Sequence, residues 1–238
     1  MELVTKSLSF KEIENVLYAR QFAFDILRRF FVEEPSKEYL KQFVQKNMIH
    51  LFPFKDDSPE IQAGVNDINA FLATHDVVNI ERHYQDLHWD YTRMFIGPFS
   101  LSTPPWESSY VRKDGLLFQG TTMEVRKLYE KYGIFVRDFN IEADDHFGLE
   151  LDFIYHLNEL CLQICESNQE ADFDKITQLL MEQSKFLKEH LLQFVPQLCN
   201  GIISEANTSF FVGLAKIVQS YLKIDLEVLN ELLNIDIL

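Results

Sequence analysis

The chain has 238 residues, 47% hydrophobic and 25% charged, with 37 acidic against 22 basic side chains and a formal net charge of −15. That length allows one large domain with a sizeable core, and the acidity argues against nucleic acid, whose phosphates need basic side chains, while suiting a cationic peptide. No apolar run is long enough to span a membrane, the start has no basic segment followed by an apolar one, and three sparse cysteines make no disulfide framework, so a cytoplasmic protein without stable membrane insertion is expected.

Twenty-one phenylalanines and only eight glycines favour helices. Ser9-Phe10-Lys11-Glu12 reads as a capping box. Phe10, Ile13, Leu17, Phe24, Leu27 and Phe31 then recur at helical spacing, which predicts a first helix to about residue 33. Arg28-Arg29 inside it resembles an export signal, but Val32-Glu33-Glu34-Pro35 follows instead of an apolar run, so the pair belongs to a helix face. Pro35-Ser36 opens a second helix carrying Leu40, Phe43 and Val44. Ser58-Pro59 opens a third, with Ile61, Val65, Ile68 and Leu72 inward. A fourth is expected over 78–96, ended by Gly97-Pro98. A short helix or turn is expected in the WESSYVRKDG stretch that follows.

Thr121-Thr122-Met123-Glu124 reads as a second capping box, and Gly133 as a left-handed helix end. The spacing next predicts helices over 144–166, 172–194 with Pro196 at its end, 208–222 and 225–235. No repeat and no strand pattern is present. The expected fold is all-α, a bundle of about nine to ten helices. Its N-terminal part, 1–133, and C-terminal part, 147–238, would form a single domain joined by a hinge at 134–146.

No phosphate-cradling glycine loop, nucleophile elbow or zinc-protease motif occurs. Cys161 and Cys165 share a helix face, and small core residues explain them better than a metal. Two stretches stand out. GPFSLSTPPWESSY (97–110) places Phe99, Leu101, Trp106 and Tyr110 in a loop just after Tyr91 and Phe95, interleaved with Glu107, Ser108 and Ser109. Such a cluster fits a core as well as a ligand site. Glu142-Ala143-Asp144-Asp145-His146 crowds ionisable groups at a helix start, where Asp144 or Asp145 is expected to cap. His146 would then be left to be held protonated or to meet a peptide. From Asp138 to Asp174 there are eleven acids and no Lys or Arg, which reads as a steering surface for a cation.

Tyr91-Thr-Arg-Met-Phe95-Ile-Gly97-Pro98, Pro104-Pro105-Trp106-Glu107-Ser108-Ser109-Tyr110 and Glu142-Ala-Asp-Asp145-His146-Phe-Gly148, in this order and spacing, resemble the TorD/DmsD family of redox-enzyme maturation chaperones. The resemblance implies a cytoplasmic chaperone, with no cofactor of its own, for a molybdopterin enzyme of the dimethyl-sulfoxide or trimethylamine-N-oxide reductase type. Such a chaperone binds the twin-arginine leader of the apo-enzyme and holds it back from export until its cofactor is inserted. By similarity Tyr91, Phe95, Phe99, Trp106 and Tyr110 match the aromatic pocket, and Asp145 and His146 the hinge motif. Glu107, Ser108, Glu142 and Asp144 join them as candidate leader contacts. Ala143 stands where the family often has proline, and Tyr91, Phe99 and Tyr110 where some relatives carry tryptophan. Family members occur as monomers or domain-swapped dimers, with 134–146 as the exchange hinge here. Competing readings are a chaperone that docks only the mature client body, and a helical metal-dependent hydrolase using Asp144, Asp145 and His146.

Overall fold

The computed structural model describes residues 7–97, 101–112, 114–136, 142–167, 173–234 and 236–237. Its elements are helical almost throughout. They are α1 (Phe10–Phe31), α2 (Lys37–Gln45), α3 (Pro59–Thr74), α4 (Glu81–Tyr91), α5 (Ser108–Val111), α6 (Gly120–Lys131), α7 (Phe147–Glu166), α8 (Phe173–Phe186), α9 (Leu192–Glu205) and α10 (Ser209–Leu233). A 3-10 turn covers Met48–Leu51, and π turns cover Thr92–Ile96 and Leu187–Leu191. A two-residue parallel pairing of Ser7–Leu8 with Asp236–Ile237, which no strand pattern announced, joins the two ends of the chain.

The capping box at Ser9 and Glu12 forms in both directions, and Ser36 and Ser58 cap α2 and α3 through their side chains. Gly133 has φ 69°, as a helix end in the left-handed region requires. Helix α1 packs along α7, α3 along α10, and α8 and α9 close the bundle against α10. Gly64 and Gly213 meet where α3 crosses α10, and a Cβ on either would strike the other's carbonyl. At the head of α7, Gly148 abuts the backbone of Phe31 and Val32. The end of α1 is thereby held beside the start of α7.

Phenylalanine fills one continuous core. Phe30 lies 5.0 Å from Phe43 and 5.1 Å from Phe210, centroid to centroid, in edge-on contacts that suit the ring quadrupoles. Through that core runs one buried polar network. Arg20 of α1 forks onto Asp225 of α10 at 2.7 and 2.9 Å and donates to Asn158 of α7 and Gln183 of α8 at 2.6 and 2.8 Å. Four helices therefore share a single guanidinium.

Several expectations need correction. The helices expected at 208–222 and 225–235 are one helix, because nothing in Lys223-Ile224-Asp225 breaks the ladder and Asp225 faces inward to Arg20. Pro196 lies inside α9 rather than at a helix end. The π turn at Leu187–Leu191 already interrupts the ladder there, so proline removes a bond only near the start of the resumed helix. The capping box at Thr121–Glu124 does not form: α6 begins at Gly120 with no side-chain cap. Thr122 instead accepts from the Phe118 amide and donates to Asp145.

Candidate functional site

The aromatic loop and the head of α7 are joined along their backbones. Trp106 and His146 form an antiparallel bridge. The Phe147 amide donates to the Pro105 carbonyl at 2.7 Å, and the Glu107 amide to the Asp145 carbonyl at 2.9 Å. Stretches some forty residues apart are thus laced into one unit, through groups that would otherwise be costly to bury.

Asp145 ties this unit together. Fully buried, its carboxylate accepts from the Ser108 amide at 2.9 Å and from the Thr122 hydroxyl at 2.8 Å. Asp144 is buried against Arg126 of α6 at 2.7 Å, and its carbonyl accepts from the Tyr129 hydroxyl. Neither aspartate caps α7. His146 does, with Nδ1 accepting from the Gly148 amide at 3.1 Å. That assigns the proton of the neutral ring to Nε2. Burial pushes the His146 pKa down to about 4, against a smaller opposing pull from Asp145. Of the two roles open to His146, the protonated one is disfavoured, since its Nδ1 lone pair is used and the ring lies out of water.

Trp106 is only partly buried. Its indole N–H donates to Glu142 at 2.6 Å, and its ring meets His146 edge-on with centroids 6.2 Å apart. The ring is thus held by Glu142 and packed against His146. Tyr91 and Phe95 are buried beneath, packed on one another at 4.9 Å, with Phe95 against Phe31 and Phe31 against Phe147. Tyr110, half-buried, leans on Phe194. Glu107 and Ser108 are buried, with Glu107 facing His190 Nδ1 at 2.9 Å. Phe99 lies outside the described residues, as do 137–141 of the expected hinge.

Of the predicted site residues, Trp106, Tyr110 and Glu142 keep contact with solvent. Tyr91 and Phe95 are floor, and Glu107, Ser108, Asp144, Asp145 and His146 are braces. The acidic run is likewise not one solvent-facing field: Asp144, Asp145 and Glu150 are buried, and Asp152 pairs with Arg28 of α1. Arginines from other elements supply the positive charges that the run itself lacks. The hydrolase reading loses its constellation too, because all three of its residues are committed to structural partners. Among the described residues no group of histidine, cysteine and acid side chains could hold a metal.

The periodicity missed both π turns. Each serves this unit: the first carries Phe95 and the Met94 carbonyl that accepts from Thr103, and the second carries His190 onto Glu107. Exposed apolar side chains follow the loop in sequence, at Val111, Leu116, Phe118 and Met123. On another side stand exposed Glu33 and half-buried Glu34, whose charges with that of Glu142 push the Tyr91 hydroxyl pKa up, although burial is the larger cause. A groove of about 970 Å³ between α6, α7 and α8 is lined by none of these residues. No described helix is long and apolar enough to cross a membrane.

Residues 55–200 match the family model described as nitrate reductase delta subunit. The chain is 28% identical over 205 residues to the chaperone protein TorD of Aliivibrio salmonicida, covering 85% of this chain and 91% of that protein. It is 30% identical over 159 residues to TorD of Photobacterium profundum, covering 64% and 70%. It is also 23% identical over 179 residues to the Tat proofreading chaperone DmsD of Salmonella typhi, covering 69% and 76%.

Proposed function

The chain belongs to the TorD/DmsD family of redox-enzyme maturation chaperones, and from that premise we propose that it binds the twin-arginine leader of an apo-molybdoenzyme in the cytoplasm. It is a chaperone and not itself an enzyme. Its client is a molybdopterin oxidoreductase of the dimethyl-sulfoxide or trimethylamine-N-oxide type, withheld from export until the cofactor is in place.

The observation that carries this reading is Trp106: a large ring, part-exposed, pinned by Glu142 at the indole N–H and packed against His146. A ring already ordered loses little entropy on binding and presents a wide apolar face. A twin-arginine leader combines a cationic front with an apolar run. Val111, Leu116, Phe118 and Met123 offer apolar contact on the chain that follows Trp106, and exposed Glu33 with half-buried Glu34 and Glu142 offers negative charge. Asp145 and His146 serve the site by holding Trp106 and Ser108 in place.

Calorimetry with an isolated leader peptide and the intact protein tests this. Saturable binding that Trp106→Ala weakens by about tenfold, roughly 1.4 kcal/mol, supports it. Absence of binding to the isolated peptide, with binding retained to the apo-enzyme lacking its leader, would establish docking to the mature body instead.

A further inference from the structure

Phe118 holds its backbone in the left-handed region, at φ 56°, where the Cβ of a bulky residue crowds the carbonyl that follows. Three residues earlier Gly115 takes the same conformation, at φ 59°, with no side chain to strain. Among the described residues one other phenylalanine does this, Phe54 at φ 60°, and its ring is partly buried against Tyr221. The Phe118 ring is 38% exposed and meets no other ring among the described residues. Packing inside the chain accounts for the strain at Phe54 and leaves that at Phe118 without a structural return.

Hydrogen bonds hold Phe118 in this state. Its amide donates to Thr122 Oγ1 at 3.1 Å, and that hydroxyl donates to Asp145 Oδ1 at 2.8 Å. Asp145 Oδ2 accepts from the Ser108 amide at 2.9 Å, two residues beyond Trp106. The two oxygens of one buried carboxylate thus fix both the strained turn of Phe118 and the segment that carries Trp106. Arg112 and Asp114, charged neighbours in the same stretch, pair with one another, while Val111, Leu116 and Met123 are exposed. The stretch therefore presents apolar surface.

We propose that Phe118 is a specificity-determining anchor for the apolar run of the client leader, set in register with Trp106 through Asp145, and that Thr122 is the positioning residue that holds it. This rests on the leader-binding reading above. A strained, part-exposed ring is ordered before the ligand arrives, so little freedom is lost when an apolar segment covers it.

The test is calorimetric titration of the intact protein with a synthetic twin-arginine leader peptide, alongside thermal unfolding. Phe118→Gly is expected to bind about tenfold more weakly, by the same factor at low and high salt, and to melt no lower than wild type, because glycine relieves the left-handed strain. Thr122→Val leaves the Phe118 amide without its acceptor and is expected to bind about tenfold more weakly, whereas Thr122→Ser, which keeps the hydroxyl, should stay within about threefold of wild type. An affinity of Phe118→Gly within about twofold of wild type, or a weakening accompanied by a lower melting temperature, would overturn the anchor while leaving leader binding standing. So would a deficit that disappears at high salt, since Phe118 would then be meeting the arginines. Wild-type affinity in Thr122→Val would overturn the positioning role. No binding of the peptide to wild type would overturn the leader reading as well.

Discussion

Replacing Asp145 with alanine separates bracing from direct contact. The side chain is fully buried, and its carboxylate receives the Ser108 amide at 2.9 Å and the Thr122 hydroxyl at 2.8 Å. Hydrogen bonds to a charged group contribute about 1.5–3 kcal/mol each, and the variant leaves two donors buried without partners. Partial relaxation of the loop lowers the sum, so the expected loss is about 3–5 kcal/mol. In a chain of this size each kcal/mol moves the melting temperature by about 2–4 °C, so Asp145→Ala should melt about 6–20 °C lower. Hydrogen exchange should accelerate at the Ser108 and Glu107 amides, which cross to the head of α7, before it does at the α3–α10 crossing. Leader affinity should fall together with that protection. A melting shift under about 2 °C, with Ser108 protection unchanged, would refute the bracing role and return Asp145 to the list of direct contacts.

Two further outcomes follow from the buried charges. Asp225→Asn leaves the Arg20 guanidinium inside the core without its counter-charge, and chemical denaturation should show a loss of about 3–5 kcal/mol; a loss below about 1 kcal/mol would mean that Arg20 has found water. His146, whose pKa falls from 6.5 to about 4 on folding, contributes stability that is fully present above about pH 6.5 and is lost as pH falls toward 4, about 3 kcal/mol in all. Glu150, shifted upward, acts in the opposite sense: stability is lost as pH rises from about 4.5 through its raised value. His146→Asn, which can still cap α7, should abolish the histidine slope, and its stability curve should converge on or overtake wild type in acid; parallel curves for the two proteins would contradict this.

Part of the fold was legible because three helix starts carry their own chemistry. Ser9, Ser36 and Ser58 announce α1, α2 and α3, and the side chains do what the pattern implies. The long helices were harder to bound, since a π turn inserts a residue without changing composition. The 3.6-residue pattern therefore loses phase at Leu187–Leu191, and Pro196 looks like a terminator. Charged residues at core register were the overlooked signal. Arg20 follows Ile13 and Leu17 on the buried face of α1, and Asp225 follows Val218 and Tyr221 on α10; each is a charge that needs a partner from elsewhere in the chain. Glu150, between Phe147 and Leu151 on α7, was visible in the same way.

The site was legible as a pairing of two stretches but not in its division of labour. The family resemblance brings Trp106 and Asp145–His146 into one hypothesis, and the Trp106–His146 bridge joins them in space. What it hides is burial. Thr122 turns to Asp145, and Arg126 takes Asp144, so two acids that read as part of a docking surface for a cation are inside. Tertiary partners from α6 decide this, and no local pattern around residues 142–146 refers to them.

The most direct test of leader binding uses the chain's two tryptophans. Trp89 is 62% exposed on α4 and touches neither the loop nor the head of α7 in any ring contact, so Trp89→Phe leaves Trp106 as the sole indole reporter. Titrating that variant with a twin-arginine leader peptide should shift or quench Trp106 emission along the same isotherm that calorimetry records. Binding by calorimetry with Trp106 emission unchanged through saturation would place the leader elsewhere and contradict the account.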